Sequence, residues 1–379
     1  MKVLFACGGT AGHVNPALAV AARLKNENSG MHIQFVGNPE KMEARLVPGA
    51  GFDFVPLKIL GFQRRITAEN IGRNFQALYC LLRSAREVKR ILADFGPDVV
   101  VGTGGYVSGP VLRQAAKLSI PTLALESNAY PGVTTKLLAR YVDRILLAVP
   151  ETKAHLPKKV TCVVTGNPVR SEIFSANRTA AREKFGVGER VCVVSFGGSL
   201  GARRINEAIA ELIGAAYLHD NSMNLHHIHA TGGYGIDSFR EMLESKGVPA
   251  NSEHLDIREY IEDMPECLAA ADLVICRSGA MTLTEIEAAG KASILIPSPN
   301  VSENHQYHNA MVLVKRGAAI VIEEQDLTFD NLYKTVCSLV SDPQELSNMG
   351  RNAQRMAIRD ADLRICNEIY KIQGAKAKV

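Results

Sequence analysis

The feature that most constrains this chain is a β/α alternation that runs through it twice. Short β-rich runs at Val3–Cys7, Ile33–Val36, Val99–Gly102, Thr122–Leu125, Arg144–Ala148 and Val160–Val164 are separated by helical patterns. A second series follows at Val191–Phe196, His226–Thr231, Leu273–Cys276, Ser293–Ile296 and Ala319–Ile322. Strands alternating with helices of this kind form parallel sheets covered on both faces, because a parallel crossover needs a long return. Two series predict two doubly wound, Rossmann-like α/β domains facing a substrate cleft. A length of 379 residues exceeds one ordinary domain and suits two. Gly166-Asn167-Pro168 is the turn-forming triplet expected at the join.

Composition removes other classes. A content of 46% hydrophobic and 22% charged residues is that of a globular protein, not a disordered or fibrous one. The eight cysteines are scattered with no C-x-x-C, so neither a zinc site nor a disulfide framework is suggested, and a reducing compartment is expected. The apolar run at Val3–Cys7 is too short for a signal-peptide core, and no run approaches the roughly 18 residues of a membrane span. The expectation is a soluble intracellular protein. Only the Lys/Ala-rich last six residues are low in complexity, and they read as a frayed tail.

The net charge of +4 is unevenly spread. Residues 1–164 hold 21 Lys+Arg against 11 Asp+Glu, and residues 165–379 hold 22 against 28. A basic first half suggests contact with an anion or an anionic surface; unevenly solvated charge is the plain alternative. From Ile71 onward Phe75, Leu78, Leu82, Ala85, Val88 and Leu92 recur at helical spacing, with Arg73, Arg83, Arg86 and Arg90 opposite, just after Gly61–Ile66. Such a helix either meets an anionic bilayer or simply covers a sheet with a solvated face.

Three Gly-rich loops follow strands and open helices: Gly8-Gly9-Thr10-Ala11-Gly12-His13, Gly102–Gly109 and Gly197-Gly198-Ser199-Leu200-Gly201. Glycine lets backbone approach a phosphate, and a helix N-terminus offers free N–H groups and a favourable dipole. One such loop is equally well a tight turn; three in repeated domains point to phosphate. The first is G-G-x-x-G, and the second strand runs into Gly37-Asn38 without a carboxylate, so a dinucleotide fingerprint is missing. No Gly-Lys-Ser/Thr follows any loop, which removes Walker A.

The sharpest segment is Cys276-Arg277-Ser278-Gly279-Ala280-Met281-Thr282-Leu283-Thr284-Glu285. A buried strand, a small-residue turn and a helix with hydroxyls available for capping suit a diphosphate. Glu285 either accepts a ribose diol or is an ordinary exposed helix Glu. Further on, Glu303–Asn309 offers amides that can both donate to and accept from sugar hydroxyls.

These segments together resemble the MurG family of peptidoglycan glycosyltransferases. The resemblance rests on Gly8–His13 with Asn15-Pro16, Gly104–Pro110, Gly166–Arg170, Gly197–Arg203, Tyr260–Met264 and Cys276–Glu285, in that order along nearly the whole chain. It implies a glycosyltransferase-B fold, with an acceptor- and membrane-side domain over 1–164 and a UDP-sugar domain over 165–352. A helix near 353–379 would pack back on the first domain. It implies inverting transfer of N-acetylglucosamine from UDP-N-acetylglucosamine to the muramyl 4-hydroxyl of lipid I, at the cytoplasmic face of the cell membrane. Anionic membrane is an expected partner; nucleic acid is not.

Carried over by motif, the donor would meet Ile261 at the uracil, beside Tyr260, and Glu285 at the ribose. Ser199, Ala280, Met281, Thr282 and Arg170 would lie at the diphosphate. Gln306 would hold the sugar, with Asn128 and Thr10, Ala11 and Gly12 from the first domain. Gly104, Gly105 and Tyr106 would lie near the acceptor pyrophosphate. The family often has His-Glu-Gln-Asn where this chain has Leu125-Glu126-Ser127-Asn128, and two glutamines where it has His305-Gln306. Roles tied to the replaced residues do not transfer.

Inversion by single displacement needs a base on the acceptor hydroxyl and stabilisation of the departing diphosphate. His13 is the first candidate base and alternatively a phosphate donor; Glu126 is the second. The helix near Ala280, with Ser199 and Arg170, can neutralise leaving charge, so no metal or cofactor is expected. A UDP-N-acetylglucosamine epimerase, a lipid glycosyltransferase of the same architecture and a non-catalytic nucleotide-sugar scaffold are the competing readings.

Overall fold

The computed structural model describes residues 1–59, 84–218, 224–233, 235–249 and 252–376. The chain divides into two compact units, Met1–Val169 with Asp360–Val379, and Arg170–Arg359. Most of the basic helix pattern, from Ile71 to Arg83 with Gly61–Ile66 before it, lies outside the described residues, as does the end of the tail.

Unit 1 holds a seven-stranded sheet of β1 (Lys2–Ala6), β2 (His32–Gly37), β3 (Asp53–Pro56), β4 (Val99–Gly102), β5 (Thr122–Glu126), β6 (Arg144–Leu147) and β7 (Cys162–Val164). Its order is β3-β2-β1-β4-β5-β6-β7, and every pairing is parallel. Unit 2 holds β8 (Val191–Phe196), β9 (Leu225–Ala230), β10 (Leu255–Arg258), β11 (Leu273–Cys276), β12 (Ala292–Leu295) and β13 (Ala319–Val321). Its order, β10-β9-β8-β11-β12-β13, repeats the first and is also parallel throughout.

Two strands escape the sequence pattern, β3 and β10, and they occupy the same edge of their respective sheets. An edge strand is covered less completely, so its residues need not form an apolar run. Asp53-Phe54-Val55-Pro56 is half-open, and Leu255-Asp256-Ile257-Arg258 alternates.

The central strands are buried on both faces, which their Val, Ile and Leu content requires. In unit 1 the helix Ala11–Glu27 turns Val14, Ala17, Val20, Ala21 and Leu24 into one face of the core. The last helix, Ala361–Lys376, adds Ile365, Cys366, Ile369 and Ile372 to that cluster. Ion pairs from Asp362 to Arg23 and from Glu368 to Arg144 fix its rotation. On the opposite face, the helical residues 84–95 bury Val88, Ile91 and Leu92. There Arg86 and Arg90 point to solvent and Ala85 is exposed rather than packed. This part of the basic helix covers the sheet and presents its charge outward.

Unit 2 packs a single large cluster around β8, β11 and β12. Its β9 is unusual in placing three histidines in the interior. Ser195 Oγ lies 2.8 Å from His227 Nε2 and 2.7 Å from His229 Nδ1. A hydroxyl has one proton, so it donates to one ring and accepts from the other. Burial pushes His229 down to about 3 and His226 to about 4, and holds His227 well below the ordinary imidazole range.

Candidate active site

Both sheets reverse direction at a switch point, between β1 and β4 in unit 1 and between β8 and β11 in unit 2. Parallel α/β sheets bind ligands beyond the carboxyl ends of the strands at such points. The loops after β1, β4, β8 and β11 include all the Gly-rich segments and the Cys276–Glu285 turn.

In unit 1 the two Gly loops pack backbone on backbone. A Cβ on Gly105 would lie 2.2 Å from the Gly8 carbonyl oxygen, and the residue has φ +81°. A Cβ on Gly104 (φ +112°) would lie 2.4 Å from His13 Cδ2. Glycine is required at both positions on steric and conformational grounds. Thr103 Oγ1 donates to the His13 carbonyl at 2.6 Å, and Ser108 Oγ ties Ala6 to Gly104 with two 2.7 Å contacts. His13 Nδ1 lies 3.1 Å from the Gly8 carbonyl and 3.3 Å from Thr10 Oγ1. Thr10 caps the helix Ala11–Glu27 by backbone only, with no side-chain cap, so Ala11 and Gly12 sit at an N-terminus. Tyr106 stands exposed on the first turn of the helix Gly105–Lys117.

Glu126 ends β5 and is buried. One of its oxygens accepts from the backbone and side-chain N–H groups of Asn128, both at 3.0 Å, and the other from Gly132 N at 3.0 Å. This carboxylate shapes the loop that presents Asn128. A buried carboxylate that the sequence did not single out, Glu43, lies under the first Gly loop and accepts from Gly9 N at 3.0 Å.

In unit 2 the helix Ala280–Ala289 starts from Gly279 with no side-chain cap. The expected hydroxyl capping is thus corrected: Thr284 Oγ1 bonds back to the Ala280 carbonyl at 2.9 Å, and Ser278 Oγ is buried with no hydrogen-bond partner among the described residues. The N–H groups of Ala280, Met281 and Thr282 have no intrahelical acceptors.

Glu285 is not an ordinary exposed helix residue. Its side chain is 19% exposed and pairs with Arg170 Nη2 at 3.0 Å. Burial pushes its carboxyl above the ordinary range, and the Arg170 charge opposes that shift. Arg170 itself is 49% exposed.

Gln306 Oε1 accepts from Ser298 N at 2.9 Å, which fixes the amide and turns its N–H donors outward from that contact. The helix carrying it, His305–Val314, is entered through Glu303 (φ +56°) and Asn304 (φ +49°). Two consecutive non-glycine residues in this region cost roughly 1 kcal/mol or more each, strain that the surrounding packing has to hold. Arg277, given no role by its motif, holds the other side. It donates to the Ile296 and Pro297 carbonyls at 3.2 and 3.1 Å and pairs with Glu324.

Ile261 is buried beside the exposed Tyr260, just beyond β10. Their loop is clamped by Arg258 and Lys184 on Asp263, at 2.5 and 2.8 Å. Ser199 lies exposed on the loop after β8. Within unit 2, Ser199, Ile261, Ala280–Thr282, Glu285 and Gln306 thus all follow the carboxyl ends of strands, and Arg170 joins them through Glu285. One Asp-x-Asp occurs, Asp360-Ala361-Asp362, but its carboxylates are engaged by Arg364 and Arg23.

Residues 3–147 match the glycosyltransferase family 28 N-terminal domain, and residues 191–365 match the C-terminal domain of that family. The chain belongs to glycosyltransferase family 28. It is 42% identical, over 100% of both chains, to the UDP-N-acetylglucosamine–N-acetylmuramyl-(pentapeptide) pyrophosphoryl-undecaprenol N-acetylglucosamine transferase of Acetivibrio thermocellus. A protein of Bacillus cereus with the same name, numbered 1, is 38% identical over 100% of both. Among solved structures, MurG of Acinetobacter baumannii superposes with a TM-score of 0.78 at 29% identity, covering 98% of this chain and 99% of that one. The UDP-GlcNAc 2-epimerase of Neisseria meningitidis (TM-score 0.66, 15% identity, 98% and 100% coverage) shares the fold alone. The paired units are those of the glycosyltransferase-B fold, and the family makes the chain a hexosyltransferase.

Proposed function

We propose that the chain transfers N-acetylglucosamine from UDP-N-acetylglucosamine, with inversion, to the 4-hydroxyl of the muramyl sugar of lipid I. The acceptor is undecaprenyl-pyrophosphoryl-muramyl-pentapeptide, and the product is lipid II of peptidoglycan synthesis. End-to-end similarity to proteins named for this transfer carries the reading.

Unit 2 is assigned the donor. The Glu285 carboxylate accepts from both ribose hydroxyls, a charge-assisted contact worth about 1.5–3 kcal/mol per bond. Arg170 holds that carboxylate in the free unit, but a pair half open to solvent is worth only about 0.2–1 kcal/mol. Ribose can therefore displace Arg170, which then turns to the diphosphate. Ser199 and the N–H groups at Ala280, Met281 and Thr282 complete the diphosphate site, where the helix dipole favours negative charge. Ile261 reads the uracil by its backbone, and Gln306 donates to the sugar hydroxyls. Asn128 and Thr10-Ala11-Gly12 are assigned to the same sugar from unit 1.

Unit 1 is assigned the acceptor, with Gly104, Gly105 and Tyr106 at its pyrophosphate. His13 takes the proton of the 4-hydroxyl as that oxygen attacks the anomeric carbon and UDP leaves. Glu126 has both oxygens committed to the Asn128–Gly132 loop, so it supports this step by holding Asn128. Transfer from labelled UDP-N-acetylglucosamine to a short-chain lipid I analogue tests the proposal. A disaccharide product is expected, and folded protein that makes none would refute it.

The chain is placed peripherally on an anionic membrane. Among the described residues no helix is long and apolar enough to cross one. On unit 1 the helix Val133–Leu138, packed on the helix Gly105–Lys117, exposes Val133 and Leu137, with Leu137 67% open, and Tyr141 is exposed just beyond its end. Arg113 lies over the Tyr141 ring, and Lys117, Lys136 and Arg140 surround the patch in sequence. Apolar anchors among basic residues suit an anionic bilayer surface. Binding to anionic vesicles should fall with salt and with Leu137→Asp; indifference to both would remove this placement.

A further inference from the structure

The side chain of Glu43 fills a slot cleared by two glycines. A Cβ on Gly8 would lie 2.2 Å from Glu43 Oε1, and one on Gly37 would lie 2.5 Å from Glu43 Cγ. The carboxyl group is fully buried. Its Oε1 accepts from Asn38 N at 2.9 Å and its Oε2 from Gly9 N at 3.0 Å. Both oxygens accept and neither needs a proton to give, which is the pattern of a carboxylate. Among the described residues no Lys or Arg pairs with it. A buried charge held by two amides is costly compared with an apolar side chain of the same size, so packing gives no reason for a carboxylate here.

The peptide group it contacts supplies the reason. The N–H of the Gly8–Gly9 peptide points to Glu43, and the carbonyl of that same peptide, Gly8 O, meets His13 Nδ1 at 3.1 Å. A carbonyl can only accept, so the contact requires the proton on Nδ1 and leaves the imidazole lone pair on Nε2. A carboxylate pulling on one end of a peptide group polarises the other end and makes its oxygen a stronger acceptor.

We propose that Glu43 is a positioning residue for His13, acting through the Gly8–Gly9 peptide to fix the Nδ1-protonated tautomer and the ring orientation. The arrangement does what a carboxylate does directly for a catalytic imidazole, with one peptide group interposed. The far side of the ring is fixed by Gly104, whose Cβ would meet Nε2 at 2.8 Å, and the His13 carbonyl by Thr103 Oγ1. Cys7, at the end of the strand leading into the loop, is a second titratable group buried beside Glu43. Burial, with Glu43 adding to it, pushes the Cys7 thiol up to about 12, so that thiol is neutral and Glu43 is the charge that polarises the peptide.

The inference rests on the reading of His13 as the base, but its test does not need activity. Glu43→Gln keeps the shape and replaces one accepting oxygen with an NH₂ group that cannot accept from Gly9 or Asn38. Nitrogen NMR of His13 should show the single Nδ1–H tautomer in the wild type and a mixture in E43Q. In the transfer assay kcat should fall about tenfold or more, with the donor KM within about twofold, because general-base efficiency is lost and donor binding is not. A wild-type tautomer in folded E43Q would overturn the proposal. Should E43Q not fold, the tautomer is read in Glu43→Asp, whose shorter carboxylate withdraws from the Gly9 N–H. A shifted tautomer there supports the relay and an unshifted one overturns it. If the wild type makes no product, the transferase reading fails while the tautomer still decides the relay. If it does transfer and the tautomer never moves, only the relay fails.

Discussion

At the switch point of unit 1 the crevice is walled by backbone. Gly8, Gly104 and Gly105 are in near contact, and a buried carboxylate and an imidazole are fastened to the same peptide group. At the matching point of unit 2 the wall is open. The helix Ala280–Ala289 begins without a side-chain cap, and a part-buried Glu285 is held by an Arg170 that solvent already reaches. Strand order is the same in both. Topology therefore fixes where each unit binds, while side chains at equivalent loop positions decide what each does. On the proposed reading, unit 1 holds a reacting group still and unit 2 exchanges an internal partner for a ligand.

The harshest way to break this contrast is Gly105→Ala. The added carbon has no room against the Gly8 carbonyl, and φ is positive, so unit 1 should lose roughly 2–4 kcal/mol of stability, read from denaturant melts. An unaltered melt would mean that the backbone wall is not close-packed.

His13→Ala comes next. Loss of a general base should lower kcat about 10²–10⁴-fold with little change in donor KM. A pure KM effect would move His13 from the chemistry to the phosphate.

Glu285→Ala should act on the other parameter and weaken UDP binding about tenfold to a hundredfold, as expected for lost charge-assisted bonds of about 1.5–3 kcal/mol. Calorimetry showing unchanged affinity would reject the ribose assignment.

A further test separates the units by acid. His226, His227 and His229 titrate below the usual 6.5 when folded, with His226 near 4 and His229 near 3. As pH falls through 6.5 the unfolded chain takes up protons that the folded unit refuses, so stability is lost down to about pH 3 and is recovered as pH rises. Hydrogen exchange between pH 6.5 and 4 should open β9 before β1. The reverse order would show that the histidines are not held neutral.

Much of this was legible in the sequence because buried parallel strands carry an unmistakable composition. Val99–Gly102, Val191–Phe196 and Leu273–Cys276 have the same limits in sequence and structure. The two edge strands were not visible, since half-covered residues such as Asp53 and Arg258 carry no apolar run. Glycine spacing located the loops but not their reason; that Gly105 answers to Gly8 is a contact across 97 positions. Glu43 was hidden for the same cause. A lone Glu opening a short helix looks like any solvated residue, and only the fold brings it under Gly9. Its sequence traces are Gly8 and Gly37, the two glycines that clear space for the Glu43 side chain. Capping differs from the sequence expectation because Thr284 bonds back to the Ala280 carbonyl and Ser278 is buried, neither of which the order of residues reveals.

The division of labour is tested most directly by hydrogen exchange with and without UDP. UDP lacks the sugar and the acceptor, so new protection should appear at residues 258–263 and 278–285 and leave residues 8–13 and 104–106 unchanged. Protection at 8–13 and 104–106 with none at 278–285 would place the nucleotide in unit 1 and contradict the account.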